Sequence, residues 1–415
     1  MNFFSRFKKI FFIIGFLAVV VVLAYFIWQL FFKPVSLSPL ATSTTAIGGN
    51  LPNAGLGGGL GENTGGPGNL PGGPGQIIPG NPSATEPSNT ALGGLTKTTA
   101  LSDSPTLGST LGSDGRVQYY NQDDGLFYHL DANGNLTPLS DKVFHEVQKV
   151  TWAPDKNRAI LEYPDGNKVL YNFQTKKQVT LPSHWQDFSF SPSSGQIVSK
   201  SMGLDPENRW LMVSSDDGSQ AKALEAIGEN ADKVYPAWSP NNQMVAMYTK
   251  GVDFDRQEVF FVGLNGENFK STVVEGRGLE TQWSTTGDRL LYSVYHTRDD
   301  LKPRLWIVDA TSDTISQDRR SFDLQTWASK CTFASNTEIY CAVPENLERG
   351  AGLFPELADK TKDDLYKIDL KTGTKKLVAV PDGTYNISQI MVPENQNFLY
   401  FTDKATGMIY KINLK

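Results

Sequence analysis

The side chains best suited to chemistry are few and far apart. The chain has four His (His129, His145, His184 and His296) and two Cys (Cys331 and Cys341). Two Cys and four scattered His cannot supply the ligand quartets of a zinc protein, so no metal and no cofactor are expected. The Gly-x-Ser-x-Gly elbow of a serine hydrolase is absent. Asp131-Ala132-Asn133-Gly134-Asn135 echoes a calcium loop, but Leu136 stands where Gly is required and Lys142 where Glu is required; this segment reads as a hairpin turn. Ser214 to Gly218 matches the first half of a sialidase Asp-box, yet Gln220 and Ala221 replace its Thr-Trp, and it too reads as a turn. Carboxylate pairs acting on a glycan stay open as chemistry, because a fold can bring distant Asp and Glu together.

The two Cys flank Asn336 symmetrically, five residues to either side. In an antiparallel hairpin centred there they face each other, at about 4.5 Å between Cα atoms for a non-hydrogen-bonded pair, within disulfide reach. A cross-strand disulfide is expected. Two buried free thiols are the alternative.

Those residues sit in a repeating frame. A strand ending in an aromatic, a polar turn and a second strand recur at Trp152, Phe190, Trp238, Trp283 and Phe333, with Val392 in the aromatic's place in the last copy, spaced 38, 48, 45, 50 and 59 apart. A third strand ending in a tight turn recurs seven times, from Leu126–Leu130 to Met408–Ile412. Turns such as Asn133-Gly134 and Asn265-Gly266 supply the left-handed residues that hairpins need. Short strands with turns every 8–12 residues argue an all-β chain. A 40–60-residue period argues one four-stranded sheet per repeat, hence a β-propeller. Seven blades fit the third strands and six fit the first strands; seven is preferred, with an irregular closure joining the ends.

Trp238-Ser239-Pro240-Asn241, with Trp152 to Asp155 and Phe190 to Ser193, resembles the WD40-like (PD40) propeller repeat of TolB-type proteins and of prolyl oligopeptidase propeller domains. The resemblance spans about 300 residues and implies architecture, with no hydrolase domain following.

Composition divides the rest. Ile10 to Phe32 is apolar for 23 residues, with Gln29 the only strongly polar side chain; as a helix it is roughly 34 Å long, enough for a bilayer core. Arg6, Lys8 and Lys9 precede it, which holds residues 1–9 in the cytoplasm. Residues 10–32 are therefore expected to be a retained signal anchor in the plasma (inner) membrane, single-pass, with the propeller extracytoplasmic. Between residues 36 and 115 lie 19 Gly, 9 Pro and no Phe, Tyr or Trp; residues 33–115 read as a disordered linker, and 116–415 as the propeller. A net charge of −6 argues against a nucleic-acid partner.

The connections between second and third strands are long at 201–208, 250–257, 295–303 and 344–363. In a propeller they emerge on one face, and long loops on a rigid scaffold carry binding. Asp253, Phe254, Asp255, Arg256, His296, Arg298, Asp299 and Phe354 are the candidate ligand-binding residues. The expected function is a membrane-tethered module binding an envelope protein or cell-wall polysaccharide. The alternative is an envelope hydrolase of glycans or peptides with carboxylates at the channel mouth.

Overall fold

A computed structural model describes residues 16, 19–23, 25–26 and 86–415. Of the expected anchor, Phe16, Val19 to Leu23, Tyr25 and Phe26 are described, all helical. Among the described residues no helix is long and apolar enough to cross a membrane; the rest of the anchor, and residues 33–85 of the expected linker, lie outside them.

Residues 86–415 form seven sheets arranged as a seven-bladed β-propeller. Blade 1 is Thr106–Leu111, Val117–Asn121, Phe127–Leu130 and Leu136–Pro138. Blade 2 runs from Lys149–Trp152 to Lys177–Leu181, blade 3 from Trp185–Phe190 to Lys222–Ala226, and blade 4 from Val234–Pro236 to Thr272–Glu275. Blade 5 runs from Arg277–Trp283 to Arg320–Ser321, blade 6 from Cys331–Ser335 to Lys375–Pro381, and blade 7 from Ile387–Met391 to Ile409–Asn413. Within each blade the strands pair antiparallel in chain order, and the first strands of neighbouring blades meet around the axis.

The alternation of each strand explains the packing. A blade is covered on both faces, so its second strand is buried along most of its length and sends successive side chains to opposite neighbours. In Arg158–Glu162, Ala159 and Leu161 join the core shared with blade 1, while Ile160 joins the core shared with blade 3. Tyr119 and Tyr120 divide likewise between blades 7 and 2. Each interface has its own cluster, and the ring closes where Met391, Tyr400 and Ile409 of blade 7 pack on Val117, Tyr119 and Leu130 of blade 1.

Two of the repeat's tryptophans clasp adjacent blades. Trp152 Nε1 donates to Gly108 O (2.6 Å) and Trp283 Nε1 to Ala237 O (3.2 Å), each on the preceding blade. Trp238 lies just beyond the first strand of blade 4, Val234–Pro236, and its Nε1 donates to Asn242 Oδ1. Cys331 lies opposite Cys341 in register, and the two form a disulfide with Cα atoms 4.0 Å apart.

The start of the folded region corrects the expected boundary at residue 116. Thr106–Leu111 is the first strand of blade 1, Thr99–Ala100 adds the fourth strand to blade 7 by pairing with Ile409–Asn413, and Leu95–Thr96 pairs parallel with Lys375–Pro381 as a fifth strand of blade 6. One stretch poor in apolar residues thus closes the ring across two blades. Thr98 fastens the crossing, its N–H and Oγ1 both donating to Asp382 Oδ1 (3.0 and 2.6 Å).

Candidate functional site

In an antiparallel blade, the connection between second and third strands and the connection to the next blade leave at the same end. That end of blades 4 to 6 carries the candidate residues. The blade 4 loop follows Ala246–Gly251 and precedes Arg256–Val262; it is shorter than expected, since Lys250↔Glu258 and Gly251↔Gln257 remain paired. Asp253 accepts from Arg256 Nε (2.7 Å), and its carbonyl accepts from Arg277 Nη1 (2.9 Å). Hydrogen bonds from Arg256 hold the Asp253 carboxyl below the usual range.

Asp255 reaches into blade 5, accepting from Thr297 N–H (3.0 Å) and Thr297 Oγ1 (2.5 Å), and these bonds lower its pKa. His296 Nδ1 accepts from Arg298 N–H (3.0 Å), capping the 3-10 helix Thr297–Asp299. Arg298 meets Glu275 at 3.0 Å, and Asp299 meets Arg304 at 2.5 Å. Gly350 and Gly352 N–H donate to Asp300 O and Leu301 O (both 2.8 Å), which fastens the blade 6 loop to the blade 5 loop. Gly352 has no room for a side chain, since a Cβ there would lie 2.5 Å from Tyr295 Cβ.

The structure therefore brings Asp253, Phe254, Asp255, Arg256, His296, Arg298 and Asp299 into one ledge, and the loop carrying Phe354 is tied to it. The blade 6 loop has a small core, in which Leu347, Ala351 and Ala358 pack with Trp327 of the connection from blade 5 to blade 6. It is a built element rather than slack chain. On the ledge the charges are largely paired internally, while apolar groups point outward: Phe254 is 67% exposed and Phe354 52%.

Nearer the axis, the inner strands line a channel of about 1650 Å³ whose walls mix hydroxyl and amide groups, such as Ser109, Thr332 and Gln389, with apolar side chains, such as Leu107, Phe333 and Met391. At its mouth, on the ledge side, a smaller cavity of about 250 Å³ lies between blades 5, 6 and 7, bordered by Glu280, Trp327, Asp359, Asn386 and Lys404. Beneath it is a buried ion pair. Lys330 Nζ donates to both Asp363 oxygens (3.0 and 2.8 Å) and to Asn386 Oδ1 (2.9 Å). Burial pushes the Lys330 amine down and the Asp363 carboxyl up, each against the attraction of the other.

Glu275, Arg277, Glu280, Lys330, Asp359, Asn386 and Lys404 were outside the sequence-derived set. Asn386 and Lys330 lie in blade-to-blade connections, which share this face with the long loops; that shared exit is the signal that would have found them. Among the described residues no group of three or more His, Cys, Asp or Glu is placed to hold a metal ion.

No protein-family model matches the chain, and no curated protein matches it. Solved structures do. The β-propeller domain of Cps50 (Swd1) from Myceliophteria thermophila is 12% identical with a TM-score of 0.51, covering 77% of this chain and all (100%) of that one. An oligogalacturonate lyase in complex with manganese is 13% identical with a TM-score of 0.49, covering 77% of this chain and 93% of that one. A streptogramin B lyase is 12% identical with a TM-score of 0.48, covering 77% and 97%. At these identities the likeness is one of propeller fold.

Proposed function

We propose that the chain is a membrane-tethered, extracytoplasmic binding module whose propeller docks an envelope protein on the ledge of blades 4 to 6. The observation that carries this reading is the contrast on that ledge: its charges are engaged with one another, and its outward-pointing groups are Phe254 and Phe354. A wall polysaccharide is held through many hydrogen bonds, and here few donors are free. A protein surface is anchored by aromatic side chains in a charge-neutral setting. The apolar run 10–32 after Arg6, Lys8 and Lys9 supports the tether and its orientation, and the Trp-Ser-Pro-Asn phrase supports kinship with TolB-type propellers.

Photo-crosslinking in native membranes tests the ledge. A crosslinker replacing Phe254 or Phe354 should trap a discrete protein, and one at Asn133, on the opposite face, should not. Phe254→Asp should weaken capture from the Phe354 position by about 30-fold, the cost of losing an anchor of roughly 2 kcal/mol. Equal trapping from both faces would overturn the reading. Trapping of wall glycan, or new reducing ends released from it, would favour a polysaccharide partner or a hydrolase instead. Protease access to a C-terminal tag on intact cells checks the orientation.

A further inference from the structure

We propose that the cavity at the channel mouth between blades 5, 6 and 7 is a binding site for an α-amino acid in its zwitterionic form. This goes beyond the ledge reading and uses none of its candidate residues, although Asp359 lies on the same blade 6 loop as Phe354.

The size comes first. At about 250 Å³ the cavity falls below the 300–1,000 Å³ of sites for drug-sized ligands, and it suits a single residue-sized molecule. Its accessible charges come next. Lys404 Nζ makes one hydrogen bond, to Asp359 Oδ1 (2.5 Å), and keeps two donors. Glu280 accepts through Oε2 from Ser329 Oγ (2.7 Å) and Ser329 N–H (3.4 Å), which leaves Oε1 for a ligand. Lys330 and Asp363 add no free charge, because all three Lys330 protons are used and the pair is neutral as a unit. The wall thus offers one ammonium and two carboxylates. Asp359 already pairs with Lys404, so what a ligand meets is the two remaining Lys404 donors and Glu280 Oε1; a simple anion would use only the first and meet an excess of negative charge, and a simple cation would use only the second. A molecule with an ammonium and a carboxylate on one carbon answers both.

The positioning is built in. Asn386 Nδ2 donates to Ala358 O (2.9 Å), next to Asp359, and Asn386 O accepts from the Lys404 N–H (2.6 Å). One residue therefore sets the heights of Asp359 and Lys404. Asn386 is itself held by Lys330 and by Asp403, whose Oδ1 accepts the Asn386 N–H (3.0 Å). A buried ion pair contributes little net stability on its own; here it fixes the residue that spaces Asp359 and Lys404.

Calorimetric titration of the full-length protein in detergent with L-alanine, acetate, ethylamine and glycylglycine tests this. Alanine should bind saturably, and the two singly charged probes about tenfold or more weakly, the cost of one lost charged hydrogen bond. Glycylglycine, whose charges are set further apart, should also bind weakly. Lys404→Gln and Glu280→Gln, both at partly exposed positions, should each weaken alanine binding about tenfold or more and leave the melting temperature unchanged. Phe254→Asp should leave alanine binding intact, and Lys404→Gln should leave crosslinking from the ledge intact, so failure of one site is separable from failure of the other. Absence of saturable alanine binding up to about 10 mM, equal binding by the variants, or preference for the dipeptide or a singly charged probe would overturn the proposal.

Discussion

Replacing Lys330 by Met should convert a satisfied ion pair into a buried, lone carboxylate. The Asp363 side chain is 0% exposed and the Lys330 side chain 9%. Met fills the same volume, so packing is kept and the electrostatic change is isolated. Removing one partner of a buried pair costs about 3–5 kcal/mol. The variant has one escape, which is to fold with Asp363 protonated and only the Ile387 N–H (2.6 Å) still bonded to it. Protonating a carboxyl of ordinary pKa ~3.9 costs about 4 kcal/mol at pH 7 and about 1.5 kcal/mol at pH 5. The loss of stability should therefore be close to 4 kcal/mol at neutral pH and shrink by more than half at pH 5. The sign follows from linkage: a carboxyl whose folded pKa is raised favours folding below its unfolded pKa and opposes it as pH rises. Urea unfolding of wild type and variant at both pH values, followed by tryptophan fluorescence, measures this. Lys330→Met combined with Asp363→Asn should abolish the difference between the two pH values. A loss under about 1 kcal/mol at pH 7, or one equal at both pH values, would show that water reaches the pair.

Four further outcomes are expected. Replacing Cys331 and Cys341 with Ala should cost about 3 kcal/mol in denaturant unfolding, the closure entropy for a sequence separation of 10. Gly108→Ala should destabilise by about 2 kcal/mol or more, because φ is +60° and a Cβ would sit 2.6 Å from Val150 Cβ; calorimetry reads the loss. Tyr119, Tyr292 and Tyr400, raised to about 12 chiefly by burial, should ionise late in an absorbance titration, with fold stability lost as pH rises from about 10 toward that value. A chain starting at residue 116 should aggregate, whereas one starting at residue 86 should stay monomeric by light scattering, because the shorter chain lacks the inner strand of blade 1 and the closing strands.

The ring was readable in the sequence where local pattern and burial agree. The third strand of each blade ends in a turn with its own chemistry, and the first strands of blades 2 and 5 carry a Trp that clasps a neighbour, so these announce themselves. Thr106–Leu111 has neither: it is Thr, Ser, Gly and Leu, and its composition matches the segment before it. Leu95–Thr96 and Thr99–Ala100 are two residues each, and only pairing with partners some 280–310 positions away makes them strands. Their β character is tertiary, not intrinsic. The ledge was legible because charged and aromatic residues clustered in long connections. The mouth cavity was not: a Lys in a blade-to-blade connection looks solvent-facing until the loop ending at Asp363 folds over it, and nothing in either segment signals the other.

The closing strap also brings the two ends of the folded region side by side: the Ala91 N–H donates to Asn413 O (2.9 Å), and Asn413 Nδ2 reaches Asn89 O (3.3 Å). Topologically the propeller is almost an endless loop. A short splice between these neighbours would allow new termini to be cut elsewhere, for instance at Asn133-Gly134, and the permuted protein would keep every blade intact. Because the junction lies at the rim, away from the ledge loops, such rearrangement would change where the propeller hangs while leaving the surface it presents in place.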